Sequence, residues 1–192
     1  MPNDLRSEIA ATLSASVWAM DERRLRALFA SLSRMTHADS AIVAATASAR
    51  GVPAPAAPSI VGDVAHIGVN GVLLKSVPWF FEYLGIAATG TVAVGEQLKQ
   101  ALGNVNVKRV QLDVDSPGGT VDGIQELADA IRSARAQKPI TASISNIAAS
   151  AAYWLASQAD AIDANAAAET MQEAARMYPK VQMFIAREWT DG

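Results

Sequence analysis

A chain of 192 residues, 51% of them hydrophobic, is long enough to close one core, and a single α/β domain with an appended segment is the expectation. Sixteen basic and nineteen acidic residues give a formal charge of −3 and are spread along the chain without a basic stripe, which argues against a nucleic-acid partner. The lack of cysteine excludes disulfides, thiolate metal sites and a cysteine nucleophile, and no metal or cofactor is expected.

From Leu5 to about Met35 the residues Leu5, Ile9, Leu13, Val17, Leu25, Leu28 and Leu32 recur at three- and four-residue spacing. This predicts one or two amphipathic helices within an N-terminal segment, 1–50. Asp4, Arg6 and Glu8 precede any apolar run, and Asp21, Glu22, Arg23 and Arg24 interrupt the pattern. Neither a signal peptide nor a membrane span fits, and a cytoplasmic protein is expected. Gly51 to Pro58 holds three prolines in eight residues, which deny a helix or a sheet its donors and mark an extended linker, 51–59. A core over 60–162 and a helical tail over 163–192 follow.

Within that core, Val61 to Leu74 suits a strand and a tight turn, punctuated by Gly62, Gly68 and Gly71. Trp79, Phe80, Phe81 and Tyr83 fall in a loop or short helix, where adjacent aromatics bury one another. Val94, Leu98, Ala101 and Leu102 mark a helix stopping near Gly103. Then come strand Val107–Val114, helix Val121–Ala136, strand Ile140–Ile144 and helix Ala149–Gln158. Strands joined by helices imply a parallel sheet, with ligands at the carboxyl ends of its strands.

Two of those strand ends carry candidate chemistry. The first runs Asp113-Val114-Asp115-Ser116-Pro117-Gly118-Gly119-Thr120. Paired glycines at a strand-to-helix turn let N–H groups face a cleft, where they could hold an oxyanion; an ordinary turn or a phosphate cradle fits the same residues. The second places Ser150 among alanines before a helix, an accessible nucleophile or a routine helix N-cap. The two histidines, His37 and His66, leave a Ser-His-Asp triad open, with a desolvated lysine the preferred base.

Asp115-Ser116-Pro117-Gly118-Gly119, Lys138-Pro139-Ile140, Ala149-Ser150-Ala151-Ala152-Tyr153 and Ala159-Asp160-Ala161-Ile162, in that order and spacing, resemble the S49 serine peptidases of the signal-peptide-peptidase-A type, especially the phage head-maturation enzymes. The resemblance covers about Val107 to Ile162, with weaker support from Val64 to Leu73. It implies a ClpP/crotonase-like fold of stacked ββα units and a Ser-Lys dyad acting through an acyl-enzyme. Ser150 would be the nucleophile, the N–H groups of Gly119 and Ala151 the oxyanion hole, and Gly118 the residue shaping the turn. A protein or peptide substrate would lie as an added strand beside Pro117 to Thr120, in a homo-oligomer.

The pattern breaks after Ile162. No Gly-Ser-Ile-Gly segment follows, the one downstream lysine is Lys180, and Lys75 is the other candidate; no motif supports either, so the base stays unassigned. Three functions remain on this reading: an endopeptidase for phage capsid or scaffold proteins with Met1–Arg50 as a partner- or oligomer-forming extension, an inactive binding or assembly module, and an acyl-CoA enzyme. The last draws on shared fold alone.

Overall fold

The computed structural model describes residues 16–20, 22–33, 56–83, 85–165 and 169–170. Three strands organise the chain: β3 (Val64–Asn70), β6 (Arg109–Ser116) and β8 (Ile140–Ala148). They lie parallel, with Ile67 beside Leu112 and Leu112 beside Ala142. Alternation decides which face is covered. Ala65, Ile67, Val69, Val110, Leu112, Val114, Ile140, Ala142 and Ile144 form one buried face, whereas Gln111, Asp113 and Asp115 lie on the other. Each fully buried Leu or Ile on the covered face contributes about 1.5–3 kcal/mol.

The same sheet takes in β2 (Ser59–Val61), antiparallel on β3, and β9 (Ala161–Ala164) and β10 (Glu169–Thr170), both parallel to β8 along the same edge. A second sheet has the order β1 (Trp18–Met20), β7 (Gly118–Thr120), β4 (Val72–Leu74), β5 (Ala88–Gly90). The helices are α1 (Glu22–Ser33), α2 (Trp79–Tyr83), α3 (Thr91–Gly103), α4 (Ile124–Ala134) and α5 (Ala151–Ala156). The chain therefore repeats one device: a strand of the large sheet turns into a short strand of the small one, and a helix returns over the core. β3, β4 and α3 make one such unit, and β6, β7 and α4 the next. This is the stacked ββα, ClpP/crotonase-like arrangement that the sequence leads one to expect.

A second apolar cluster, Leu28, Val72, Leu74, Phe80 and Phe81, sits beside the small sheet. The Phe80 and Phe81 rings are 5.2 Å apart and both are buried, so these two members of the aromatic run pack inward. Among the described residues no helix is long and apolar enough to cross a membrane.

Several elements differ from the sequence reading. Trp18–Met20 interrupts the expected N-terminal helix with a strand, because Gly118–Thr120 offers it a ladder: Ala19 is in register with Gly119. Gly118–Thr120 is itself a strand and not only a turn. The tail expected to be helical continues β9 through Ala164 and adds β10 at Glu169–Thr170, since the edge of β8 stays open to pairing beyond Ile162. The helix expected over Met171 to Met177, and the remaining parts of the terminal segments, lie outside the described residues.

Candidate active site

Ser150 stands at the junction of β8 and α5 with φ 54° and ψ −121°, the one non-glycine residue at positive φ among the described residues. An N-cap serine adopts extended angles and turns its oxygen onto an amide of the first turn. This one does neither, for no side-chain capping bond forms. The junction instead holds a conformation costing on the order of 1–3 kcal/mol, of the kind that persists where the surrounding fold imposes it and that gathers at functional sites. Ala149 N–H donates to Ser116 O at 3.1 Å and Trp154 N–H to Ser150 O at 3.0 Å, fixing the turn from both sides.

Gly118 lies against this serine. Its φ is 96°, and a Cβ there would sit 3.1 Å from Ser150 Cβ and 3.0 Å from Ala149 O, and closer still to Ala19 O. Only glycine fits. Gly119 is required for a different reason: a Cβ there would fall 2.5 Å from Leu73 C and N, because β7 approaches β4 with Leu73 and Gly119 in register.

The corner between β6 and β7 is fastened by Ser116, whose role no motif reveals. Ser116, fully buried, donates from Oγ to Gly71 O at 2.6 Å and accepts from Gly118 N–H at 3.2 Å. Gly71 N–H in turn donates to Asp115 O at 2.9 Å. The Gly118 amide is thus taken by Ser116. Ala151 opens α5, and the first amide of a helix has no intrahelical acceptor.

The structure brings Ser150 and Gly118 together, with Gly119 and Ala151 as their chain neighbours. No lysine joins them among the described residues, and none of the described side chains hydrogen-bonds Ser150 Oγ. Lys75 Nζ contacts Asp122 Oδ1 at 3.2 Å, with both side chains at least half exposed. Lys99 pairs with Glu96, Lys108 bonds Val105 O, and Lys138 bonds Ala101 O and Asn104 O, both at 2.7 Å. Lys180 lies outside the described residues, as does His37. His66 Nδ1 is 3.0 Å from Asp113 Oδ2, but Asp113 is in register with Ser143. From Ser143 to the end of β8 is roughly 16 Å at about 3.3 Å per residue, so this His–Asp pair does not serve Ser150.

Asp160 shows what the fourth motif does. Its carboxylate accepts from Ile140 N–H at 2.8 Å and from Arg135 Nε at 2.8 Å, which hold its pKa below the usual aspartate value, the Ile140 bond foremost. It ties the segment entering β9 to the start of β8. The role is structural.

Residues 132–171 match the profile of peptidase family S49. The family resemblance read from the sequence holds. The chain is 37% identical over 98 residues to the head-tail preconnector protein GP5 of Enterobacteria phage P21 (51% of this chain, 19% of that one). It is 33% identical over 100 residues to the capsid assembly protease C of Escherichia phage lambda (52% and 22%), and 32% identical over 105 residues to Protease 4 of Salmonella typhi (54% and 16%). The aligned stretches span about a fifth of these relatives' length. Among solved structures, an enoyl-CoA hydratase/isomerase family member aligns with TM-score 0.45 and 17% identity, over 59% of this chain and 48% of the other.

Proposed function

We propose that this chain carries the nucleophile and oxyanion site of an S49-type serine endopeptidase that processes capsid or scaffold proteins during phage maturation. The observation that carries the reading is the forced positive φ of Ser150 directly against Gly118. Such a backbone holds Oγ away from the helix it precedes and leaves it for a substrate carbonyl. Oγ attacks that carbonyl as its proton passes to the base, the N–H groups of Gly119 and Ala151 receive the oxyanion, and the C–N bond breaks as the leaving amine takes the proton. Water then attacks the acyl-serine and releases the carboxylate. If the chain supplies its own base, Lys180 and Lys75 are the candidates.

The test is labelling by a fluorophosphonate, with peptide mapping, alongside cleavage of a capsid-derived protein. Label on Ser150 and cleavage, both lost in Ser150→Ala, support the reading; an unlabelled, uncleaving but folded wild type overturns it. Loss of both in Lys180→Ala, with Lys75→Ala unaffected, places the base in the tail.

One observation favours a second reading, a binding or assembly module on the same scaffold: no described side chain hydrogen-bonds Ser150 Oγ. It predicts peptide binding that Ser150→Ala leaves unchanged, without labelling.

A further inference from the structure

The edge of β7 along which an extended substrate would pair is occupied. β1 lies antiparallel on it, with Trp18 opposite Thr120, Ala19 opposite Gly119 and Met20 opposite Gly118, and Val121 N–H donates to Val17 O at 2.9 Å. In an antiparallel ladder, pairs that exchange hydrogen bonds alternate with pairs that do not. The Val17–Val121 bond therefore fixes Ala19 and Gly119 as an exchanging pair, in which Gly119 N–H donates to Ala19 O. That N–H is the one assigned above to the oxyanion, and it cannot serve both. Ala19 O also borders the point that a Gly118 Cβ would fill, 3.1 Å from Ser150 Cβ.

We propose that Trp18–Met20 fills in cis the strand position through which this site takes its substrate, and that its own pattern reports the class of peptide accepted: an extended segment with a small residue in register with Gly119 between two bulky apolar ones. The proposal rests on the peptide-binding reading of Ser150 and deepens it. The side chains of β1 divide as the pattern requires. Ala19 packs against the main core, which includes Ala151, Ala152 and Leu155. Trp18 and Met20 pack against the second cluster of Leu28, Val72, Leu74, Phe80 and Phe81, and the Trp18 ring meets Phe29 of α1 edge-on at 6.1 Å. A bulkier residue in place of Ala19 would have to open the core beside Ser150. β1 is three residues long and forms the edge of its sheet, held by one neighbouring strand, so it is exchangeable in a way that β7 and β4 are not.

The experiment uses the whole chain and a labelled peptide of the sequence Ser-Val-Trp-Ala-Met-Asp, followed by fluorescence anisotropy. A chain whose site is filled most of the time binds with an affinity reduced by the small open fraction. Trp18→Gly combined with Met20→Gly, which removes the two anchors, is expected to bind the peptide at least tenfold more tightly than wild type. Equal affinity overturns the proposal. A reversible lock covers the case in which that variant does not fold. The chain has no cysteine, and Trp18 and Thr120 form a non-exchanging pair, whose side chains are the closer kind. Trp18→Cys with Thr120→Cys is expected to bind no peptide when oxidised and to bind it when reduced; binding indifferent to redox state overturns the proposal. A reduced chain that binds the peptide but is not labelled at Ser150 defeats the peptidase reading and leaves the strand-exchange inference standing. Labelling at Ser150 with redox-indifferent binding does the reverse.

Discussion

Gly118 and Ser150 face each other across a space smaller than a methyl group: a Cβ on the glycine would come within 3.1 Å of the serine Cβ. Both residues sit at positive φ, 96° and 54°, so neither can move to make room. Gly118→Ala is therefore expected to cost about 1–3 kcal/mol from backbone strain alone and to displace Ser150 or Ala19. The fluorophosphonate labelling rate should fall on the order of 100-fold, since misplacing a reacting atom by about 1 Å has that effect. Chemical denaturation read beside labelling rate checks both parts.

Ser116 holds the same corner from within. Ser116→Ala removes the acceptor of the Gly118 N–H and the donor to Gly71 O in a fully buried position. Groups left without partners there cost about 1–3 kcal/mol. The expected result is a melting temperature lower by roughly 2–10 °C together with slower labelling of Ser150, although Ser116 touches no substrate. Unchanged stability would mean that water replaces the hydroxyl.

The parts of the fold that could be read from sequence are those whose side chains carry the period. β6 and β8 announce themselves by aliphatic runs that end at the Ser116-Pro117-Gly118-Gly119 and Ala149-Ser150-Ala151 motifs, so Ser150 and the glycine corner were legible together. β7 was not. Two glycines weaken a strand and one threonine is too short a run to show a pattern; the pairing with Leu73 and Ala19 makes them a strand. Trp18–Met20 was hidden because Val17 completes a helical spacing with Leu13, and the choice between helix and strand was made by a partner a hundred residues away. Ser116 was in plain view inside a quoted motif, but its work depends on Gly71 O, which no spacing reveals. No base was legible, because neither Lys75 nor Lys180 belongs to a motif.

Asp160 gives a prediction in pH. Its pKa is lowered chiefly by the hydrogen bond from Ile140 N–H, with burial opposing and Arg135 assisting. A depressed carboxylate contributes stability that is present above its unfolded value of about 3.9 and is lost as pH falls through the folded one. The side chain is 41% exposed, so solvent screens the ion pair and the contribution is at most about 1 kcal/mol. Asp160→Asn should unfold at lower urea than wild type at neutral pH, and the gap between the two curves should close as the pH is taken below the ordinary aspartate range. A gap that persists in acid would assign the loss to geometry and not to charge.

Ser150 should itself be a stability liability. Its angles, φ 54° and ψ −121°, suit glycine and strain a residue bearing a Cβ. Its hydroxyl caps nothing in return. Ser150→Gly is then expected to stabilise the chain by about 1 kcal/mol, raising the melting temperature by roughly 2–4 °C, while abolishing the label. Ser150→Ala keeps the Cβ and the strain, so it should lose the label with no such gain. A serine that merely capped α5 predicts instead that both substitutions destabilise, alanine by more than glycine, with no gain over wild type from either. Thermal unfolding of wild type and the two variants, at one pH and concentration, separates a serine held under strain for its reactivity from one retained for its helix.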